Sequence, residues 1–200
     1  MTDQVSIVNQ ALGLLSGNRI TSFGDNSKEA QLATDSYDDL RDAVLEEADW
    51  SFALDFLNIA ADPVAPNNKY WSAKYQIPSD ALRVVSVNGN DVSKPWKREG
   101  EFILTNYGIC EAQVVTQITN PNSFSKMFVQ GLVYRLAWAW AIPVTKSSKI
   151  RDQYKQDYKD LIIEATTVDG MQGTPESTGQ GRLVETRIRH SGRRVAGPTV

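Results

Sequence analysis

Carboxylates crowd one predicted helix and are the side chains in this chain that most resemble catalytic groups. Asp35, Asp38, Asp39 and Asp42 lie within eight residues, so several pairs are spaced three or four residues apart. Glycoside hydrolysis uses two carboxyls about 5 to 10 Å apart across a cleft, and this spacing meets that distance. Any acidic helix face meets it as well, and nothing nearby predicts the burial that keeps one carboxyl protonated as a general acid. A solvated or ring-lining acidic face is therefore the simpler interpretation.

Nucleophilic and metal chemistry have less support. The single histidine, His190, lies in a glycine- and arginine-rich stretch, where nothing predicts the rigid support of a catalytic triad. The single cysteine, Cys110, lies in a strand-like segment and is expected to be a small buried apolar side chain. The sequence contains no phosphate-binding loop and no calcium loop. We therefore predict no catalytic residue, no metal site and no cofactor.

Charge is divided unevenly along the chain. Residues 1–168 carry 16 Lys/Arg and 21 Asp/Glu, whereas residues 169–200 carry 5 and 3. DNA-gripping domains are usually basic because each phosphate contact needs a cation, so the acidic body argues against that role. The first ten residues have no basic start followed by an apolar run, so we expect no signal peptide, and no stretch approaches the roughly 20 apolar residues of a membrane span. We expect no membrane association.

Helical periodicity marks both ends of the body, and a hydrophobic content of 41% is sufficient for a core. A first helix is predicted from Asp3 to Leu15. A second follows a cap at Asn26 or Ser27 and carries an apolar stripe: Ala30, Ala33, Tyr37, Leu40, Val44 and Ala48. The segment 124–142 is apolar nearly all round and should be the most buried helix, with Ser123 as its cap, Trp138 in the core and Pro143 at its end. A fourth helix is expected over about 147–167.

The middle of the chain is typical of β-structure. Residues 69–118 are predicted to form one antiparallel sheet of four or five strands, with a hairpin turn at Asn88–Gly89. Before them, Trp50, Phe52, Phe56 and Leu57 are expected to form a packing plug. The fold class is therefore α+β: a four-helix bundle with an inserted antiparallel β-sheet and an extended C-terminal arm. Its parts are residues 1–68 and 119–168 as two halves of a helical frame, 69–118 as the inserted sheet, and 169–200 as the arm.

The arm is the most unusual part of the sequence. Val184, Thr186 and Ile188 alternate with Glu185, Arg187 and Arg189, which is the period of a strand. The arm is too polar to build a core, and a lone strand is unstable in water, so it should order only on a partner's sheet edge or groove. The alternative is a disordered solubilising tail. The predicted partner-binding residues are Arg182, Val184, Thr186, Arg187, Ile188, Arg189, Arg193 and Arg194.

The order of motifs resembles that of the head-to-tail adaptors, or tail tubular proteins A, of short-tailed bacteriophages. The resemblance covers about residues 4–165 and includes the strand "YQIPSDALRVVSV" and the apolar helix from 124 to 142. One departure is Ser16, where glycine is expected. The motif residues are Asn9, Ala11, Leu12 and Leu15 in the first helix, Tyr37, Arg41, Asp42 and Leu45 in the second, and Trp50, Phe52 and Ala53 after it.

The resemblance implies a structural virion protein of the viral tail, assembled in the host cytoplasm. It would form a ring, as a dodecamer, that joins the portal protein to the tail nozzle protein and forms part of the DNA ejection channel. Genomic DNA would pass without specific binding, since an acidic lumen repels phosphate, and the arm would dock on the portal. Two alternatives stay open: a tail-associated glycan hydrolase that uses Asp38 or Asp42, and a nucleic-acid-binding module that uses the arginines of the arm.

Overall fold

The computed structural model describes residues 3–170 of the chain. They form a mixed α+β fold in which two helices precede a group of antiparallel strands and two follow it, as predicted. We call the four helices the helical layer and the six strands the β-layer. The elements are α1 (Gln4–Leu14), α2 (Lys28–Glu47), β1 (Leu54–Ile59), β2 (Ala73–Gln76), β3 (Ala81–Val87), β4 (Trp96–Glu99), β5 (Phe102–Thr105), β6 (Cys110–Thr116), α3 (Lys126–Thr145) and α4 (Ser148–Gly170).

Side-chain caps define where three of the helices begin. The Asp3 carboxylate accepts a hydrogen bond from the Ser6 backbone N–H at 2.6 Å, and the Ser27 hydroxyl accepts one from the Ala30 N–H at 3.1 Å. The cap of α3 is Ser125, so the prediction of Ser123 was wrong. Ser123 lies in a short 3₁₀ turn that precedes the helix.

Two helix ends differ from their predicted positions. Pro143 lies inside α3, which continues to Thr145 and ends at Lys146 with a left-handed φ of 60°. The helix α4 continues to Gly170, two residues into the segment assigned to the arm. At the end of α1, Ser16 has a φ of 54°, a conformation that favours glycine.

The helical layer encloses the larger apolar core. Trp50, Phe128 and Trp140 are almost completely buried, and the rings of Trp50 and Phe128 meet edge to face with centroids 5.2 Å apart. The Trp140 indole N–H donates to the Ser36 hydroxyl at 2.9 Å, which joins α3 to α2. The helix α3 therefore supplies core side chains, as its composition predicted.

Trp138 differs from that expectation because it is only partly buried. The guanidinium carbon of Arg135 lies 4.1 Å from its ring centroid, and its ring also faces Tyr158 of α4 with centroids 6.0 Å apart. Trp138 thus lies at the edge of the core, between a cation and a neighbouring helix.

The β-layer consists of two three-stranded antiparallel sheets, so the prediction of one sheet was wrong. Their strand orders are β1-β6-β3 and β2-β5-β4. Residues from both sheets share a second apolar cluster, in which Tyr75, Ile103 and Val114 are buried. An isolated antiparallel β-bridge between Ala61, just after β1, and Tyr75 of β2 joins the two sheets at one corner. At another corner the Arg98 guanidinium donates to the Leu82 carbonyl at 3.3 Å.

Two further expectations for the strands were wrong. The first strand, β1, begins at Leu54, well before residue 69, and Phe56 on it is 70% exposed, so Phe56 does not belong to a packing plug. Asn88–Gly89 does not join two paired neighbours, because β3 pairs with β6, more than twenty residues further along the chain.

Polar contacts connect the two layers at one end of the strands. At the start of β3, Arg83 donates to the Glu46 carbonyl at 2.8 Å and pairs with the Asp49 carboxylate. Just after β6, the Gln117 amide donates to the Asp42 carboxylate at 2.6 Å. The end of β3 and the start of β6 therefore lie at the opposite end of the β-layer, away from α2.

Candidate docking surface

Three loops meet at the end of the β-layer that points away from α2. We call residues 60–72, 88–95 and 106–109 the tip loops. They follow β1, β3 and β5 and precede β2, β4 and β6, so the antiparallel order of the strands brings them to one end.

Side-chain hydrogen bonds tie the tip loops to one another. The Asn88 amide donates to the Ile109 carbonyl at 3.2 Å and accepts from the Glu111 N–H at 3.0 Å. The Tyr107 hydroxyl donates to the Ser93 carbonyl. These bonds hold the loops in one arrangement, as a rigid binding surface requires.

A second group of bonds anchors the loop 60–72. The Ser72 N–H donates to the Asn106 side-chain oxygen at 2.8 Å, and the Tyr75 hydroxyl donates to the Tyr107 carbonyl at 2.6 Å. All three loops are thus connected through the short loop 106–109.

Backbone conformation also restricts the loop 88–95. Asn88, Gly89 and Asn90 have φ values of 50°, 68° and 52°, a left-handed run that asparagine and glycine tolerate better than other residues. The Trp96 indole N–H donates to the Asn90 side-chain oxygen at 3.1 Å. The asparagines therefore set both the path of the loop and its bonds.

Large apolar side chains project from these loops into solvent. The exposed fractions are 63% for Val64, 72% for Tyr70, 97% for Val92 and 68% for Ile109. We call these four residues the tip surface. They lie on loops that share one end of the β-layer and are bonded to one another, so this end is the candidate protein-binding surface of the described chain.

The predicted carboxylate pair has a different environment. Asp38 and Asp42 both bind the guanidinium of Arg41, at 2.5 Å and 2.8 Å, and Arg41 is 3% exposed. The arrangement is typical of an ion pair that satisfies a buried arginine, and the sequence did not predict that Arg41 would be buried.

Tyr37 lies one turn before Arg41 and is 2% exposed. Burial raises the pKa of Tyr37 to about 12. Its hydroxyl has no hydrogen-bond partner within the described residues, while its ring meets Phe23 edge to face. Tyr37 therefore acts as an aromatic core residue rather than as an acid or base.

Cys110 is completely buried, as predicted, and burial raises the pKa of its thiol to about 11. It is therefore a poor nucleophile at neutral pH. Within residues 3–170, no group of three or more His, Cys, Asp or Glu side chains is placed to hold a metal ion.

The predicted partner-binding residues lie outside the described part of the chain, as does His190. They are Arg182, Val184, Thr186, Arg187, Ile188, Arg189, Arg193 and Arg194. The tip surface was missed because Val64, Val92 and Ile109 stand singly among asparagine, proline and glycine, while Tyr70 fell within the predicted sheet. An isolated valine or isoleucine inside a turn-forming segment was the available signal.

One described helix, α3, is long and apolar enough by length and composition to cross a membrane. The sequence had predicted no such stretch. The helix packs against α1 and α2 and contributes Phe128, Leu132 and Trp140 to the core, which is the usual place of an apolar helix in a folded domain. Compared with known proteins, the chain matches no family model and no curated sequence.

Proposed function

We propose that this protein is a structural virion protein, a head-to-tail adaptor ring that joins the portal to the tail nozzle of a short-tailed phage. The tip surface is the observation that carries the proposal. It places four exposed apolar side chains on loops that are already bonded together. Such a surface stabilises a protein contact at low entropic cost.

The proposal assigns different parts of the chain to different partners. The tip surface contacts one neighbouring tail component, the nozzle protein. The C-terminal arm, with Arg182, Val184, Thr186, Arg187, Ile188, Arg189, Arg193 and Arg194, docks on the portal. The four helices serve as a bundle between these contacts. Because each copy in a ring supplies one arm, weak single contacts add up through effective concentration.

Charge is consistent with a role beside DNA. The body carries more acidic than basic residues, and a negative channel wall repels the phosphates of a passing duplex. In the proposed ring, genomic DNA slides through the lumen during ejection and makes no specific contact.

Electron microscopy of purified protein tests the proposal directly. The chain is imaged alone, with the portal protein and with the nozzle protein. We expect rings coaxial with the portal. A chain that ends at residue 179 should have an unchanged melting temperature but should no longer bind the portal. A second variant replaces only Arg193 and Arg194 by lysine, which keeps the charge but not the planar fork of the guanidinium, and it should bind the portal more weakly than the full-length chain.

Two outcomes would contradict the adaptor role. One is a full-length chain that forms no ring and binds neither partner. The other is a truncated chain that sediments with the portal as well as the full-length chain does, which would remove the arm from the mechanism.

A further inference from the structure

A groove of about 610 Å³ runs between α1 and α3. Both polar and apolar side chains line it, and Leu14 among them is 39% exposed. A side chain added at Gly13 would meet nothing within 4 Å, so the floor of the groove is open at that point. The lining residues used below are Gln10, Gly13, Arg19, Lys126 and Gln130.

Positive charge in this groove is not neutralised by the rest of the described chain. Arg19 and Lys126 both line it, and neither forms an ion pair with a carboxylate within residues 3–170. The amides of Gln10 and Gln130 are further donors on its walls. The groove therefore suits an occupant that carries carboxylates.

The outer face of α2 carries such carboxylates. Asp35, Asp39 and Glu46 are exposed, and their spacing of four and seven residues puts them in one row along the helix. Tyr37 and Val44, which are buried, lie on the opposite side of the same helix. Within the described chain, none of the three carboxylates has a hydrogen-bond or ion-pair partner.

We infer that the α1–α3 groove of one copy receives the outer face of α2 from a second copy of this chain. Asp35 and Asp39, one helical turn apart, pair with Arg19 and Lys126 of the neighbour. The inference deepens the proposed function and rests on it, because it names the contact that joins ring neighbours. No described residue of α2 lines the groove, so the two surfaces belong to different faces of one subunit.

The use of two different faces determines what kind of assembly this contact builds. A contact between two different faces is heterologous, so each copy that uses its groove still presents its α2 face to the next copy. Repetition gives a closed ring or an open filament rather than a two-fold dimer. Because the contact relies on exposed charges, it should weaken as salt concentration rises.

Thiol crosslinking tests the contact. Gly13→Cys places a thiol in the groove, and Glu46→Cys places one on α2 while Asp35 and Asp39 are kept. The chain's own Cys110 is buried and its raised pKa limits its reaction, so the unaltered protein is the background control. A short bismaleimide is added to the purified chain, alone and with the portal.

We expect the double variant to give a ladder of covalent oligomers. An equal mixture of the two single variants should stop at dimers, because each copy then has one thiol. The matched control joins Gly13→Cys to Lys159→Cys, an exposed position on α4, and should give no ladder above background.

Charge reversal makes the test specific. Arg19→Glu with Lys126→Glu should reduce the ladder at least tenfold, and so should Asp35→Lys with Asp39→Lys. Combining all four replacements should restore it, since the charges are exchanged across the contact. A ladder that survives either reversed pair, or one that the combined variant fails to restore, overturns the inference.

Electron microscopy of the same samples separates this inference from the adaptor role. Rings without a ladder overturn the contact and leave the adaptor proposal standing. A ladder without rings on the portal supports the contact and contradicts the adaptor. The absence of both overturns both.

Discussion

The helical layer and the β-layer use their apolar residues in opposite ways. In the helical layer the large aromatic side chains Phe128 and Trp140 are buried together with Trp50, which follows α2. In the β-layer the shared cluster is smaller, and Val64, Tyr70, Val92 and Ile109 are left exposed at one end. The larger buried core therefore lies among the helices, whereas the strands position loops whose apolar side chains stay exposed.

The largest effect should come from a cavity in the helical layer. Trp140→Ala is expected to lower the free energy of unfolding by about 3–5 kcal/mol, because a fully buried indole and its bond to Ser36 are lost. Urea unfolding followed by circular dichroism measures it. Trp138→Ala is the matched control and should cost about 1–2 kcal/mol, since Trp138 lies at the edge of the core. Equal losses would mean that the two indoles are equally buried.

The next effect concerns the buried cation of α2. Arg41→Ala should lower the free energy of unfolding by about 2 kcal/mol, because Asp38 and Asp42 lose their partner and a buried side chain leaves a void. Arg151→Ala removes an exposed arginine that is paired with Asp152 and should cost under about 1 kcal/mol. The same unfolding assay compares them, and a stable Arg41→Ala protein would show that the cluster adds nothing to the helical layer.

Removing the hydroxyl from either of two buried tyrosines of the helical layer should change the free energy of unfolding in opposite directions. The Tyr158 hydroxyl donates to the Glu47 carboxylate at 2.5 Å, so Tyr158→Phe should cost about 1 kcal/mol at neutral pH. Tyr37→Phe removes a hydroxyl that lacks a partner in the described chain and should be neutral or stabilising by up to about 1 kcal/mol. Thermal melting of the two variants checks the signs, and a loss in both would show that Tyr37 has a bonding partner after all.

Unfolding at alkaline pH gives a second test of Tyr158 and Tyr37. Burial raises the pKa of Tyr158 and of Tyr37, so the folded state favours the protonated phenols. A raised pKa gives stability that is complete below the unfolded value of about 10 and is lost as pH rises above it. Melting temperatures measured between neutral pH and pH 11 should fall less steeply in either phenylalanine variant than in the natural chain.

The smallest effect on stability is expected at the tip surface. Val92→Ser combined with Ile109→Ser should change the free energy of unfolding by less than about 0.5 kcal/mol, because both side chains are exposed. Binding to the nozzle protein, measured by calorimetry, should fall at least tenfold. Lys159→Ser, at an exposed position on α4, is the control and should leave binding unchanged. A melting loss as large as that of Trp140→Ala would erase the contrast between the layers.

Local patterns predicted the helices well and the sheets less well. The stripe of α2 that includes Ala30, Tyr37 and Val44 is buried as expected, because a helix face is determined by residues close in sequence. The pairing of β3 with β6 is set by contacts across more than twenty residues, which a turn signal such as Asn88–Gly89 does not specify. The strand β1 was missed because its sequence, "LDFLNI", does not alternate regularly.

The candidate site was the least predictable part for a similar reason. Val92 and Ile109 lie in different loops, and these loops are held at one end of the β-layer by the bonds of Asn88 and Tyr107. Burial of Arg41 was also unexpected, because arginine is rarely buried without a partner. Its flanking aspartates, Asp38 and Asp42, were interpreted as an acidic surface, although together they supply the partner that burial requires.

The left-handed conformation of Ser16, just after α1, is a source of strain that one substitution could remove. At a φ of 54°, Ser16 has a conformation that costs an L-residue about 1–2 kcal/mol. Glycine would remove that strain. Its greater conformational freedom in the unfolded chain would cancel about 0.5–1 kcal/mol of the gain in stability. A single Ser16→Gly exchange should thus yield a modest gain in heat tolerance, at a position that belongs to neither the groove nor the tip loops.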